Sequence, residues 1–212
     1  MSDHFVVYGA GGHGKVVAEV LIASGRKLDG FIDDNPVLTK TLVLGLPVFI
    51  AGDWLSSHRD ANVALGIGNN SARQSTASRV RQHGCKLVTG IHPAATVAGS
   101  AKIAEGVLVM PAAVLNPDCS IEEGAIINTG AIVEHDVHIG RYAHLSPNCA
   151  TGGGAQIGDY SHIGMGANIL PLKRIGKNCV IGAGAVVIDD VADGQVACGV
   201  PARSQGKPGN VI

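Results

Sequence analysis

A six-residue repeat between positions 91 and 187 constrains the fold of this chain more than any other feature of the sequence. The first position of each block is aliphatic, with Thr151 as the exception, and the fifth position is small or slim, with Lys173 as the exception. A period of six fits neither an α-helix nor an ordinary alternating strand. It is typical of a β-solenoid, in which short strands and turns stack into coils. A low-complexity Ala/Gly/Val segment is the alternative, but composition alone does not keep a strict phase.

The repeat also predicts which side chains face inward. The aliphatic residue fills each layer, and the fifth residue is small because a larger one would overfill the coil. Glycine often follows the aliphatic residue, as at Gly140 and Gly182, and we expect it to supply unusual backbone angles at a turn. Three blocks would form a coil of about 18 residues. Three cysteines occupy the small inward position and are therefore expected to be core residues without catalytic function: Cys119, Cys149 and Cys179.

Charge and hydropathy exclude several classes of partner. The net charge is -1, so no bulk electrostatic attraction to nucleic acid or to an anionic membrane is expected. No apolar run is long enough to span a bilayer. The apolar run at 5–10 is too short for a signal peptide and lacks a basic leader. We therefore expect a cytoplasmic protein.

The first 90 residues follow a different pattern, in which short apolar runs alternate with helical periodicity. This alternation predicts a parallel α/β sheet with strands over 5–8, 28–32, 46–50 and 62–67. Helices are expected over 15–24 and 71–82, the second capped by Asn70 or Ser71. The chain is accordingly divided into a small Rossmann-like α/β domain at 1–90, a β-solenoid at 91–192 and a C-terminal tail at 193–212.

A glycine-rich turn, Gly9-x-Gly11-x-x-Gly14, joins the first predicted strand to the first predicted helix, and Asp33 follows about 20 residues on. This is the dinucleotide fingerprint, in which backbone N–H groups at a helix N-terminus bind phosphate. The domain is too short for two mononucleotide halves, so we favour a single nucleotide or a nucleotide sugar. A dinucleotide, or a turn that needs glycine only for packing, is the alternative. Asp33 and Asp34 either accept hydrogen bonds from the nucleotide or belong to a solvated turn.

Polar residues are concentrated in one part of the repeat, at Asn128, Glu134, His135, Asp136, His138 and His144. His135 lies at a predicted turn between two carboxylates. A neighbouring carboxylate orients an imidazole and keeps it basic near neutral pH, as a general base requires. Surface histidines on polar turns are the alternative for His135 and His144, and the interpretation we favour for His138 and His162. No helical His pair or Cys partner supports zinc, so no metal is expected.

Several motifs together resemble one known family. They read Tyr8-Gly-Ala-Gly-Gly-His-Gly-Lys15, Gly30-Phe-Ile-Asp-Asp34, Ile67-Gly-Asn-Asn70, Ile91-His-Pro93, Ile127-Asn-Thr129, Val133-Glu-His135 and Gly199-Val-Pro-Ala-Arg203. Over nearly the whole chain they resemble the NeuD/PglD-type bacterial sugar acetyltransferases. The repeat is similar to the left-handed parallel β-helix of the hexapeptide acyltransferases. The expected fold is therefore a small Rossmann-like parallel α/β domain followed by a left-handed parallel β-helix.

The resemblance implies an acetyl-CoA-dependent N-acetyltransferase that acts on the amino group of a nucleotide-linked 4-amino-4,6-dideoxy sugar, for surface glycan or glycoprotein biosynthesis. It also implies a homotrimer with active sites where neighbouring β-helices meet. Another branch of the family is associated with sialic-acid O-acetylation, and His13-Gly14-Lys15 favours the nucleotide-sugar branch. A sugar O-acetyltransferase and a non-catalytic trimeric nucleotide-binding scaffold are the alternatives, and UDP-, dTDP- and GDP-linked sugars all stay open.

The resemblance also implies roles for single residues. His135 would be the general base and Glu134 its orienting partner, with Asp136 as a second carboxylate beside it. His144 would lie near the thioester, and the Gly153 N–H would face the thioester carbonyl. The nucleotide sugar would contact Gly12, His13, Lys15, Asp33, Asp34 and Asn128. The CoA groove would be lined by Gly164, Met165, Gly166, Gly182, Ala183, Pro201 and Arg203.

Overall fold

The structure is a computed structural model that describes residues 4–206. The chain divides into two compact units, Met1–Pro93 and Ala94–Ile212. This division lies three residues beyond the boundary predicted at 90.

The first unit is built on a six-stranded sheet. Its strands are β1 (Phe5–Tyr8), β2 (Gly30–Asp33), β3 (Leu42–Val43), β4 (Leu46–Ile50), β5 (Asn62–Leu65) and β6 (Lys86–Leu87), in the order β3-β4-β2-β1-β5-β6. All neighbours are parallel except the hairpin pair β3–β4. The predicted Rossmann-like α/β arrangement is confirmed. Because β1 is central, the turn that follows it lies between the turns after β2 and β5.

Three α-helices belong to this unit, α1 (Gly12–Ala23), α2 (Ala51–Ser57) and α3 (Asn70–Gln82), with a 3₁₀ turn at Leu38–Lys40 and a last strand, β7 (Gly90–Ile91). Helix α1 begins three residues before its predicted start, within the glycine-rich turn itself. The predicted cap of α3 is wrong by one residue, since Asn69 is the cap and its side chain accepts a hydrogen bond from the N–H of Ala72 at 2.9 Å. The sequence pattern did not predict α2 or β6, because both are short.

The second unit consists of two-residue strands joined by corners, with one longer strand near its end. The strands are β8 (Thr96–Val97), β9 (Lys102–Ile103), β10 (Leu108–Val109), β11 (Val114–Leu115), β12 (Ser120–Ile121), β13 (Ile126–Ile127), β14 (Ile132–Val133), β15 (His138–Ile139), β16 (His144–Leu145), β17 (Ala150–Thr151), β18 (Gln156–Ile157), β19 (His162–Ile163), β20 (Asn168–Ile169), β21 (Arg174–Ile175), β22 (Val180–Ile181), β23 (Val186–Val187), β24 (Val196–Cys198) and β25 (Arg203–Ser204).

These strands form three parallel sheets around one core. The first sheet contains β10, β13, β16, β19, β22 and β24, the second runs from β8 to β23, and the third runs from β9 to β21. Among β8 to β23 each pair of neighbouring strands is 18 residues apart in sequence, so Ile127 lies beside Leu145 and Val133 beside Thr151, while β22 and β24 pair 16 residues apart. The predicted coil of three blocks is therefore confirmed, and the fold is a left-handed β-helix.

The core of the β-helix is the inward column predicted from the repeat. Between Val107 and Val187 its aliphatic and small residues are almost fully buried, including the three predicted core cysteines. Thr151, the one polar residue of the aliphatic column, is also fully buried, and its hydroxyl donates to the carbonyl of Ile132 at 3.2 Å. A polar group is tolerated here because it has a hydrogen-bond acceptor.

Every corner from position 106 to 184 contains a residue with positive φ, three places after the inward aliphatic residue. Glycine occupies several of these positions, and aspartate, asparagine, tyrosine, alanine or leucine occupies the others. The left-handed conformation favours Gly, Asn and Asp. Asp136, with φ 60°, is one of these corner residues.

Glycine is required directly after the aliphatic residue, but the physical reason differs from the predicted one. They do not have positive φ; instead the next coil passes too close for a side chain. A Cβ on Gly140 would lie 2.6 Å from the backbone nitrogen of Asp159, and one on Gly164 would lie 2.6 Å from that of Ala183. Close stacking of coils, rather than unusual backbone angles, requires glycine at these places.

The β-helix continues beyond the predicted limit at 192. Strand β24 pairs in parallel with β22, and β25 pairs antiparallel with β24, so this part of the predicted tail completes the first sheet. The remainder of the tail, 207–212, lies outside the described residues. No helix between residues 4 and 206 is long and apolar enough to cross a bilayer.

Candidate active site

His135 lies at the corner between β14 and β15, where the second sheet turns into the third. Its side chain is 63% exposed. The corner residue Asp136 follows it, and the Nδ1 of His135 lies 2.8 Å from Oδ2 of Asp136. The left-handed backbone of Asp136 turns the chain at the point where its carboxylate meets the imidazole.

Asp136, rather than Glu134, is the carboxylate in contact with the imidazole. The Oε2 of Glu134 instead accepts from the backbone N–H of His135 at 3.4 Å, so the orienting contact implied for Glu134 is not the one observed. The hydrogen bond to Asp136 raises the pKa of His135 above its usual range, and the negative charges of Asp136 and Glu134 act in the same direction against desolvation.

Gly153 lies one coil below His135 and directly beneath its ring. A Cβ on Gly153 would lie 2.6 Å from both Cε1 and Nε2 of His135. The backbone N–H of Gly154 donates to the carbonyl of His135 at 2.9 Å, which fixes the spacing of the two corners. The missing side chain at 153 therefore leaves the space that the imidazole occupies, and the structure brings two of the predicted site residues together.

Asn128 and His144 form a second polar group on the β-helix. Asn128 follows β13 at the corner between the first and second sheets, and His144 is in β16, one coil further on. The Nδ2 of Asn128 lies 3.0 Å from Nε2 of His144, and Oδ1 of Asn128 accepts from the N–H of Thr129 at 2.8 Å. His144 is buried, with 9% exposure, so its alternative interpretation as a surface histidine is wrong.

Four predicted CoA-groove residues line one cavity of about 340 Å³ on the first sheet: Gly164, Met165, Gly182 and Ala183. Ser146, His162 and Cys198 line the same cavity. Gly166 follows the lining residue Met165 in the chain, and its N–H donates to the carbonyl oxygen of Pro147 at 3.0 Å. Arg203 instead lines a separate cavity of about 320 Å³ together with Asp189, and Pro201 is exposed in the turn before β25.

The glycine-rich turn in the first unit contains glycines of two kinds. A Cβ on Gly14 would collide with the carbonyl oxygen of Gly9, and one on Gly9 would lie 2.9 Å from that of Gly66. These glycines are required for packing. Gly11 and Gly12 meet no atom within 4 Å, and Gly11 caps α1 without a side-chain hydrogen bond. The first-turn N–H groups of α1 are thus close to open space, as an anion site requires. Lys15 is exposed on the same turn of the helix.

The two acidic residues after β2 have different surroundings. Asp33 accepts from the N–H of Ala10 at 2.9 Å and from that of Asn35 at 2.9 Å, so it ties the glycine-rich turn to the next strand end. Asp34 accepts from the Tyr8 hydroxyl at 3.0 Å and pairs with Arg79 at 2.7 Å. Burial, followed by the hydrogen bond to Asp34, raises the pKa of Tyr8 well above its usual range.

A buried arginine behind the glycine-rich turn was missed by the sequence analysis. Arg73 has no exposed surface, and its guanidinium donates to the carbonyls of Ile67 and Gly68 and to Oδ1 of Asn70. Burial, and then the charge of Arg73, lower the pKa of His13 to about 4. His13 is therefore neutral at pH 7. An isolated arginine in a polar helix looks like a surface residue in sequence, so only its spacing from the Ile67-Gly-Asn-Asn70 motif could have indicated it.

Within residues 4–206 no group of three or more His, Cys, Asp or Glu side chains could hold a metal ion. The five cysteines are free thiols. Burial raises the pKa of the Cys149 thiol to about 12, which leaves it protonated and a poor nucleophile.

Residues 4–80 match the PglD N-terminal domain family. A curated relative, UDP-N-acetylbacillosamine N-acetyltransferase of Bacillus subtilis (strain 168), is 36% identical over 110 residues, or 49% of this chain. The match spans about half of that relative, 50% of its length.

Solved structures match over both units. A histidine-to-asparagine variant of perosamine N-acetyltransferase from Caulobacter crescentus, in complex with CoA and GDP-perosamine, has a TM-score of 0.91 at 39% identity and covers 96% of this chain and 97% of its own. The acetyltransferase domain of PglB from Neisseria gonorrhoeae, in complex with acetyl coenzyme A, has a TM-score of 0.91 at 36% identity and covers 96% and 100%.

A Rossmann-like domain joined to a β-helix with a histidine–carboxylate pair at one corner defines a class of enzyme, the β-helix acyltransferases. Within that class the identity and coverage of the relatives settle the family. The chain belongs to the NeuD/PglD-type sugar acetyltransferases, as its motifs predicted.

Proposed function

We propose that this protein transfers the acetyl group of acetyl-CoA to the amino group of a nucleotide-linked 4-amino sugar, in the biosynthesis of a surface glycan or glycoprotein. The observation that carries the proposal is the exposed pair of His135 and Asp136. The absence of a side chain at Gly153 leaves room for the imidazole of this pair. The relatives named for perosamine and UDP-N-acetylbacillosamine N-acetylation support the acceptor class.

The chemistry needs no covalent enzyme intermediate. The sugar amine attacks the thioester carbonyl carbon, and the Nε2 of His135 accepts a proton from the attacking nitrogen. The carbonyl oxygen becomes an oxyanion, for which we assign the Gly153 N–H as hydrogen-bond donor. Collapse of the tetrahedral intermediate re-forms the carbonyl and breaks the C–S bond. The departing CoA thiolate takes up a proton and leaves as the thiol, and the sugar nitrogen has become an amide.

Asp136 is the residue to which we assign orientation of the base. Its contact with Nδ1 fixes the tautomer that leaves Nε2 as the proton acceptor. Asp136 and the imidazole come from adjacent positions of one corner, so this orientation does not depend on distant parts of the chain.

A homotrimer is part of the proposal, because one β-helix separates the two polar groups of the site. His135 lies at one end of the second sheet, and the Asn128–His144 pair lies at the other end. Between them the outer surface of the second sheet is largely apolar, and Ile132 is 38% exposed there. Cyclic packing of three copies around that surface would bring His135 of one subunit near His144 of the next.

The remaining parts of the site are proposed to bind the two substrates. We propose that the nucleotide phosphates bind the first-turn N–H groups of α1 at Gly12 and His13, and that Lys15 adds a positive charge. We also assign the cavity of Gly164, Met165, Gly182 and Ala183 to CoA. Acetyl-CoA and nucleotide sugars are cytoplasmic metabolites, so we propose a cytoplasmic location.

The test is a screen of acetyl-CoA consumption with UDP-, dTDP- and GDP-linked 4-amino sugars. Release of the CoA thiol is followed in each reaction, with the same nucleotides lacking a sugar as controls. We expect one of the amino sugars to be acetylated at a rate at least tens of times above its control. A folded protein that binds the nucleotides and releases no thiol with any amino sugar would contradict the proposal and favour a binding scaffold.

A further inference from the structure

His162 extends the Asn128–His144 pair along the first sheet. It occupies the position in β19 that pairs with His144 in β16. The two imidazole rings meet edge to face, with centroids 4.9 Å apart and planes at 70°. The sequence-based interpretation of His162 as a surface histidine is wrong, because the side chain is half-buried and in contact with His144.

Ser146 fixes the other side of His162. Its hydroxyl oxygen lies 3.0 Å from Nε2 of His162, and Ser146 is itself buried, with 4% exposure. Asn128, His144, His162 and Ser146 therefore form one continuous row of contacts on the outer surface of the first sheet. One end of the row holds the residue expected near the sugar.

The other end of this row opens into the cavity assigned to CoA. Ser146 and His162 line that cavity together with Gly182 and Ala183. Gly182 has no room for a side chain, since a Cβ there would lie 2.6 Å from Sγ of Cys198. Apart from the Cys198 thiol, the polar side chains that line this cavity are those of His162 and Ser146.

From this geometry we propose that His162, fixed by Ser146, is a positioning and binding residue for acetyl-CoA. Its ring packs on the edge of His144 and holds that imidazole toward the thioester, and its exposed part forms a wall of the CoA cavity. The residue acts on the cosubstrate and not on the nucleotide sugar. This inference rests on the proposed function and adds a residue to the cosubstrate half of the same site.

The test compares His162→Ala, His162→Gln and Ser146→Ala with the wild type. For His162→Ala we expect the KM for acetyl-CoA to rise about tenfold, equivalent to about 1.4 kcal/mol, while the KM for the nucleotide sugar stays near wild type. Glutamine keeps a nitrogen that can bond to Ser146, so His162→Gln should recover part of the loss. Ser146→Ala should shift the acetyl-CoA KM in the same direction by a smaller factor.

His138→Ala is a matched control. Like His162, His138 contacts a serine hydroxyl, with its Nδ1 2.9 Å from the hydroxyl oxygen of Ser120, but His138 belongs to the third sheet. The His138→Ala variant should leave the KM for acetyl-CoA and the KM for the nucleotide sugar unchanged. If His162→Ala matches wild type, or raises both KM values equally while His138→Ala does not, the inference is overturned.

Calorimetric binding of CoA alone separates this inference from the proposed function. If wild-type protein binds CoA and transfers acetyl, yet His162→Ala binds CoA equally well, only the role of His162 fails. If wild-type protein binds no CoA and transfers no acetyl, the proposed function fails and the inference fails with it. Weaker CoA binding by His162→Ala, with Gln between Ala and wild type, supports the inference.

Discussion

At the scale of single residues, the reactivity of His135 depends on the corner that holds it. An imidazole with 63% exposure would titrate near its usual pKa if it had no charged neighbour. The hydrogen bond to Asp136 raises that pKa, and Glu134 contributes a smaller electrostatic effect in the same direction. The residue is therefore a stronger base than a free histidine, and it is unprotonated only above its raised pKa.

The pH dependence of the reaction tests this pairing. The reactive imidazole is unprotonated, so kcat should rise as pH increases through the pKa of His135. Asp136→Asn removes the charge that raises this pKa, and the rise should move to lower pH. Asparagine also tolerates the left-handed backbone at 136, so the fold is kept. Glu134→Gln, the matched control, should move the profile by less; an equal or larger shift would assign the orienting role to Glu134.

Removing the imidazole tests the base itself. General-base catalysis typically contributes about 10²–10⁴-fold, so His135→Ala should lower kcat by about that factor with little change in either KM. Steady-state kinetics at saturating substrates measure it, with His138→Ala as the control. If the folded His135→Ala variant keeps most of its kcat, the amine arrives deprotonated or loses its proton to water, and His135 is not the base.

At the scale of elements, the glycine-rich turn contains glycines with two different roles, one in packing and one in binding. Gly14→Ala places a Cβ against the carbonyl of Gly9 and should lower the melting temperature or prevent folding. Gly12→Leu enters open space beside the first-turn amides, so the melting temperature should stay near wild type. The KM for the nucleotide sugar should rise far more than that for acetyl-CoA. Equal effects on both KM values would mean that the turn has only a structural role.

Much of each element could be read from the sequence, because periodicity reports burial. The six-residue period gave the coil, its 18-residue register and its core, since each inward position must be filled and none overfilled. The sequence could not show why glycine is required at Gly140 and its equivalents, because that requirement depends on the distance to the next coil. Asp136 and Glu134 flank His135 equally in sequence, and only the left-handed corner shows which carboxylate meets the ring. Arg73 and His162 look like surface residues in the sequence, but the fold buries Arg73 completely and His162 in part.

At the scale of the whole molecule, the proposed trimer makes each active site a product of two subunits. His135→Ala and His144→Ala proteins should each be impaired as homotrimers. Unfolding and refolding the two together mixes the subunits, and about a quarter of randomly paired interfaces then hold both intact histidines. Activity should recover to roughly that fraction of wild type. If mixed trimers form and activity stays at the average of the two variants, both histidines of a site belong to one chain.

The acceptor atom is the central claim, and identifying it directly is the most decisive measurement. The protein is given acetyl-CoA labelled with ¹³C at the carbonyl and, in parallel reactions, a nucleotide-linked 4-amino sugar and its 4-hydroxy analogue. We predict a product in which NMR shows the labelled carbonyl in an amide with the sugar nitrogen, and no product from the analogue. An ester on a sugar hydroxyl, formed with either acceptor at a comparable rate, would contradict the account and identify an O-acetyltransferase.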